Sequence, residues 1–271
     1  MAEDITTLWD RLSLTEEESK DVVVKEGDIH ATLERGRFCL IGKIITEKRV
    51  NRDAFKGTML KIWKVDTTVN IVDVGFNLFL FEFANETDLQ KVCDGQPWSF
   101  DQCLLCIKYF DGLTSPSAMP FTHTYLWIQL HNLPFGCMNA EIGVQLGSSV
   151  GKVIHVEADE MGICWGRYLR VLLELDFTMP LIRGKMINVY GKRSFIQFKY
   201  ERMPRFCFYC GLLLHGTNGC SQKPYVGSER DVSNLQYGSW MRASITGPYL
   251  GLSKFVSAIP MDCFLLLKEG R

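Results

Sequence analysis

Asn77-Leu78-Phe79-Leu80-Phe81-Glu82-Phe83 is the stretch whose reading decides the fold. Successive side chains of a strand point to opposite faces, so Phe79, Phe81 and Phe83 share one face while Leu78, Leu80 and Glu82 share the other. Three aromatics in a row on one face predict a core position. Upstream, residues 69–74 form a β-rich run joined at Gly75, and residues 38–46 form another; downstream, residues 102–110 form a fourth. Helical spacing separates them. Residues 51–63 carry it at Ala54, Phe55, Met59 and Ile62 with Asn51 as the cap, and Asn85 caps a second helix that runs to Asp94.

The order strand, helix, strand, strand, helix, strand over residues 37–112 predicts an α+β class. It is the ferredoxin-like βαββαβ arrangement, an antiparallel sheet with two helices on one face, of which the RNA-recognition motif is a variant. Here the open face would carry Leu78, Leu80 and Glu82, which offer no ring for a base. The first sheet is therefore expected to serve as a protein-contact or scaffold surface. A Ser- and Pro-rich linker, 113–122, follows. Residues 123–203 then predict a second, smaller α+β domain: a strand with Trp127, a helix over 139–150, strands over 153–158 and 168–175, and a hairpin across Gly191-Lys192-Arg193. No second long helix fits between Asp176 and Lys185, so this domain reads as a half-length echo of the first.

A net charge of −1 over 271 residues conceals two opposed segments. Residues 1–36 are expected to be an acidic mobile arm with one short helix, because ten acids there face four bases and apolar periodicity is sparse. Between Leu181 and Phe206, seven bases (Arg183, Lys185, Lys192, Arg193, Lys199, Arg202 and Arg205) face Glu201 alone. Phosphates are the natural partners of such a segment. The chain lacks any run of 18 apolar residues, which argues against a membrane span. Its ten cysteines, without a charged and apolar leader, point to a reducing intracellular compartment, nucleus or cytoplasm, with the seven cysteines outside the motif below as free thiols. Catalysis is not expected: His123, Cys137, His155 and Cys164 share no local signature, and neither a P-loop nor HExxH occurs.

Cys207, Cys210, His215 and Cys220 fall at the spacing C-x2-C-x4-H-x4-C. Three thiolates and one imidazole complete a tetrahedral shell, the arrangement of closed structural zinc sites, so one structural Zn²⁺ is expected within residues 204–222. The spacing resembles the CCHC zinc knuckle of retroviral and retrotransposon nucleocapsid proteins, which bind single-stranded nucleic acid. That resemblance places Phe208 and Tyr209 where the family stacks an aromatic on a base, and matches Gly211 to the glycine after the second cysteine. The chain departs at Leu214, where the family carries glycine.

A second resemblance covers residues 37–243. The blocks Leu40-Ile41-Gly42-Lys43, Gln96-Pro97-Trp98-Ser99-Phe100, Trp127-Ile128-Gln129-Leu130-His131-Asn132-Leu133-Pro134, Gly166-Arg167-Tyr168-Leu169-Arg170-Val171 and Gln236-Tyr237-Gly238-Ser239-Trp240-Met241-Arg242-Ala243 resemble plant domain-of-unknown-function proteins of LINE-type retrotransposons. The resemblance implies a nucleic-acid-binding coat protein or a host gene derived from one. Leu172 and Met179 stand where relatives commonly carry a base. Together these readings predict zinc-dependent, weakly sequence-specific binding of single-stranded RNA or DNA through Phe208, Tyr209, Lys192, Arg193, Lys199, Arg202 and Arg205. The alternative is a zinc-stabilised protein adapter or self-associating scaffold. Residues 223–271 are expected to be a poorly ordered tail, and 245–271 receive no function.

Overall fold

The computed structural model describes residues 13–110, 112–216, 220–222 and 235–244. The chain divides into two compact units, with the boundary after Arg37. In the first, helix α1 (Glu26–Gly36) opens where Asp28 accepts the Lys25 backbone N–H at 3.3 Å. An 11-residue helix thus ends the expected acidic arm. Of the expected tail, residues 223–234 and 245–271 lie outside the described residues, as do residues 1–12.

The second unit contains two five-stranded antiparallel sheets. The first is built from β1 (Cys39–Ile44), β2 (Asn70–Gly75), β3 (Leu78–Glu82), β4 (Trp98–Phe100) and β5 (Cys103–Tyr109), in the order β2-β3-β1-β5-β4. Helices α2 (Arg52–Trp63) and α3 (Glu86–Asp94) start at Asn51 and Asn85, whose side chains accept from Ala54 N–H and Asp88 N–H. Capping of this kind satisfies a backbone donor that the helix itself cannot. Phe79, Phe81 and Phe83 lie in the core with Phe55, Met59, Trp63 and Leu89, as the alternation requires. Trp63 rather than Ile62 completes the buried stripe of α2. The strand β4 is an addition to the expected set; it folds back on β5 with Trp98 opposite Leu105.

The second sheet comprises β6 (His123–His131), β7 (Lys152–Val156), β8 (Tyr168–Asp176), β9 (Gly184–Val189) and β10 (Lys192–Tyr200), in the order β7-β8-β6-β10-β9. Position by position this repeats the strand order of the first sheet. All five strands expected over residues 123–203 are present, and no helix lies between Asp176 and Gly184. One face is closed by α4 (Ala140–Gly147) through Leu146. The space left by the absent helix is filled by Phe177 and Leu181 from the β8–β9 connection and by Phe206, Leu213 and Met241, all in one cluster with Ile196, Phe198 and Tyr200.

The outer face of the first sheet is not an open surface, contrary to expectation. Leu104 and Cys106 of β5 belong to the core cluster of the second sheet, and the Cys106 thiol donates to the His123 carbonyl at 2.9 Å. Phe121 of the linker packs against that same cluster, with the Lys43 and Lys108 ammonium groups 6.0 and 5.9 Å from its ring. Leu78 is correspondingly 6% exposed, while Leu80 and Glu82 are half-buried. Part of the apolar surface on that face is thus covered by the protein itself, which is the cheaper arrangement in water, while Val72, opposite Leu80, stays 39% exposed.

Candidate functional site

The four expected ligands converge. One donor atom from each of Cys207, Cys210, His215 and Cys220 lies within 4.8 Å of every other, and Cys210 Sγ is 3.3 Å from His215 Nε2. Tetrahedral zinc with Zn–S near 2.3 Å and Zn–N near 2.0–2.1 Å holds its ligand atoms roughly 3.5–3.8 Å apart, so the donor set fits that ion. Local backbone chemistry makes the turn. Cys207 N–H donates to the Leu212 carbonyl and Gly211 N–H to the Cys207 carbonyl, each at 2.9 Å, while the Tyr209 N–H points at Cys207 Sγ at 3.4 Å. Gly211 has φ +77°, and a β-carbon there would overlap the Tyr237 ring, so glycine is required on both counts. Burial pushes the Cys210 thiol up to about 11. Cys220 is also raised by burial, but hydrogen bonds from His215, the Gln222 backbone and the two neighbouring thiols outweigh it and bring it down to about 7.

The knuckle is not a bead on a string. Phe206 is 1% exposed and meets Phe208 edge to face at 5.1 Å, and both pack into the second sheet's core with Leu213. Phe208, expected to stack on a base, is half-buried, with its ring packed against the second sheet's core. Tyr209 packs on the cysteine cluster and stays half-exposed. The segment after the knuckle is folded too. Met241 is fully buried, Ala243 N–H donates to the Tyr200 carbonyl at 2.9 Å, and Arg242 donates to the carbonyls of Met203 and Pro204 at 2.7 and 3.0 Å. Residues 235–244 thus belong to the domain rather than to a loose tail.

The five expected phosphate contacts divide into two groups. Arg202 Nη1 donates to the Gly95 carbonyl at 2.6 Å with its guanidinium 5.8 Å from the Trp98 ring, and the Arg205 backbone N–H donates to the Gln102 carbonyl at 2.7 Å while its guanidinium reaches Gln102 Oε1 at 3.4 Å. These two arginines latch the knuckle's leading segment to α3 and the β4–β5 hairpin. Lys192 and Arg193 stand exposed at the other end of β10, about 26 Å away for eight strand rises. Lys199 lies between them. Lys192, Arg193 and Lys199 make no ion pair among the described residues.

A buried polar network on the outer face of the second sheet escaped the sequence reading. Arg170 holds Glu201 in a two-pronged contact, 2.9 Å from Nε to Oε1 and 2.9 Å from Nη2 to Oε2, and Gln129 Nε2 donates to the same Oε1 at 2.8 Å. His131 Nε2 meets Gln129 Oε1 at 3.1 Å. Because the Gln129 amide nitrogen is committed to Glu201, its oxygen must accept, which puts the proton on His131 Nε2. Burial, with Lys199 nearby, holds His131 below the usual histidine range and so neutral. Two signals in the sequence pointed here: Glu201 is the lone acid in a basic segment, and Gln129 interrupts an apolar strand.

Comparison with known proteins agrees with this geometry at two places. A family profile described as a domain of unknown function, DUF4283, matches residues 32–116, and one described as a zinc knuckle matches residues 175–222, reaching upstream of the cysteines through β9 and β10. An uncharacterized Arabidopsis thaliana protein, At4g02000, is 23% identical over 134 residues, which cover 49% of this chain and 42% of that protein. The chain thus spans about two fifths of the length of this curated relative. Among solved structures, the first two RRM domains of the yeast poly(U) binding protein Pub1 align over 60% of this chain and 98% of theirs, at 12% identity and a TM-score of 0.21. No helix among the described residues is long and apolar enough to cross a membrane.

Proposed function

We propose that this chain is a non-enzymatic, zinc-stabilised binder of single-stranded RNA or DNA with low sequence specificity, descended from a retrotransposon coat protein and working in a reducing compartment. The observation that carries the reading is the convergence of three thiols and one imidazole in a segment that matches a zinc knuckle. One Zn²⁺ would be held by Cys207, Cys210, His215 and Cys220 with no open position, which suits a structural ion and not a catalytic one. Both sheets are read as ferredoxin-like, the first as βαββαβ with β4 added, the second lacking one helix.

In this reading Lys192, Arg193 and Lys199 supply phosphate contact, and Tyr209 offers a ring beside the metal. The test is titration of the zinc-loaded chain and of Cys210→Ser with single-stranded oligonucleotides, alongside metal analysis. Binding by the parent with loss of zinc and weakened binding in the variant is expected. A zinc-loaded parent that binds no oligonucleotide would leave the protein-adapter reading in its place.

A further inference from the structure

We infer that the outer face of the second sheet, at the end marked by His131, Tyr168 and Phe195, is a base-stacking surface for single-stranded nucleic acid, separate from the knuckle. The inference rests on the proposed function and adds a site to it. Strand alternation and register place Arg193, Phe195 and Lys199 of β10, Gln129 and His131 of β6, and Tyr168 and Arg170 of β8 on one face. Gln197, His131 and Tyr168 form one cross-strand row, and Lys199, Gln129 and Arg170 the next.

The middle of this face is already taken. Trp127, one row further along, is 5% exposed, with the Arg170 guanidinium 3.8 Å from its ring centroid and the His155 ring edge-on at 6.1 Å. At the end of the face the rings are available. His131 and Tyr168 pair at 5.1 Å between centroids and are half-exposed, and the His131 ring is fixed from beneath by Gln129, which is 2% exposed. Phe195 is 49% exposed and its ring is laid across the backbone of Gly184, where a β-carbon would meet Phe195 Cζ at 2.5 Å. Glycine at that position lets the ring lie against the sheet with its other side to solvent. From β10 to β8 the rings span two strand spacings, about 10 Å, room for two or three bases.

Charge selects a polyanion over an apolar partner. Glu201 and Glu157 share Arg170, Glu174 meets Lys152 at 3.8 Å, and Asp176 at the far end of β8 accepts from Thr178. Arg193 and Lys199 remain without an ion pair among the described residues. Rings held in place with unmatched cations beside them are what sequence-tolerant single-strand binding uses: stacking on any base and salt-dependent contact with phosphate.

The experiment uses the full zinc-loaded chain and a labelled 15-nucleotide oligopyrimidine, as RNA and as DNA, read by fluorescence anisotropy. Tyr168→Ala and Phe195→Ala are each expected to weaken binding by about 5-fold to 150-fold, and Tyr168→Phe to bind like the parent, because the ring and not the hydroxyl stacks. Circular dichroism and thermal unfolding check that each variant is folded. Photo-crosslinking of the parent to a thiouridine-substituted oligomer is expected to label peptides containing Tyr168 or Phe195, a readout independent of any variant. Folded alanine variants that bind like the parent, or crosslinks confined to residues 204–222, would overturn the inference while leaving the knuckle as the binding site. A parent chain that binds neither oligomer would overturn both readings. Loss with RNA only would assign the surface to contacts that need the 2′-hydroxyl.

Discussion

The Arg170 guanidinium lies 3.8 Å from the centroid of the Trp127 ring and grips Glu201 with two hydrogen bonds of 2.9 Å. An aromatic in the middle of a sheet face would otherwise be the natural stacking site. Here the protein's own cation occupies it, and the carboxylate that orients the cation comes from the residue after β10. The Arg170 side chain is 18% exposed and that of Glu201 7%, so the pair sits largely out of water.

Breaking this pair should therefore be costly. Arg170→Met leaves Glu201 charged with the Gln129 amide but no cation beside it, and urea unfolding should show a loss of about 3 kcal/mol or more. Arg170→Met with Glu201→Leu removes both charges and should recover most of it. Equal losses in the single and double variants would mean that packing on Trp127, not the ion pair, carries the energy.

Asp88 governs the acid limit of the first sheet's helical layer. It is 1% exposed and accepts from the Thr67 hydroxyl and N–H at 2.5 and 2.9 Å, the Asp66 N–H at 3.1 Å, and Lys91 at 3.4 Å. The Thr67 hydroxyl bond, with those backbone donors and Lys91, outweighs burial and holds the carboxyl far below its ordinary value of 3.8. A folded value below the unfolded one stabilises the protein above about pH 4, and that contribution is lost as pH falls further. Thermal unfolding from pH 7 to pH 2 should show this loss in the parent. Asp88→Asn should be less stable at pH 7 and should lack that part of the acid slope; an unchanged slope would assign the acid limit to other carboxylates.

What could be read from sequence was what is local. Phe79, Phe81 and Phe83 alternate with period two, Asn51 and Asn85 cap their helices, and the Cys and His spacing carries its own chemistry. What escaped depends on register between distant strands. Trp127 meets Arg170 across 43 residues and Gln129 meets Glu201 across 72. The latch from Arg205 to Gln102 spans 103 residues. Phe208 packs partly against the second sheet's core, a contact that an isolated knuckle does not have.

That packing changes what metal removal should do. Because Phe206, Leu213 and Met241 share a core with Ile196, Phe198 and Tyr200, chelation should loosen the second sheet as well as the knuckle. Amide hydrogen exchange with and without chelator is expected to lose protection over residues 203–213 and to lower it along β10, with β1 and β3 unchanged. Full protection of β10 in the metal-free chain would show that the knuckle melts alone.

The separation of the cations sets the salt dependence. Arg202 donates to the Gly95 carbonyl and the Arg205 side chain reaches Gln102 Oε1, so of the five bases between Lys192 and Arg205 we take Lys192, Arg193 and Lys199, whose side chains make no ion pair among the described residues, as the phosphate contacts. Each neutralised phosphate contributes roughly 0.7 to the slope of log affinity against log salt for single strands, so these three give a slope of about 2 rather than the roughly 3.5 that five would give. Lys192→Gln with Arg193→Gln should lower the slope by roughly 1.4 and weaken binding at low salt, whichever base is offered. Arg202→Gln should leave the slope as it is, because its guanidinium is committed to Gly95 and Trp98; its cost should appear in thermal unfolding instead. Anisotropy titrations at four salt concentrations distinguish these outcomes. A slope that falls as much for Arg202→Gln as for the hairpin variant would place the polyanion across the latch, and the assignment of the hairpin and the outer face of the second sheet as the phosphate track would fail.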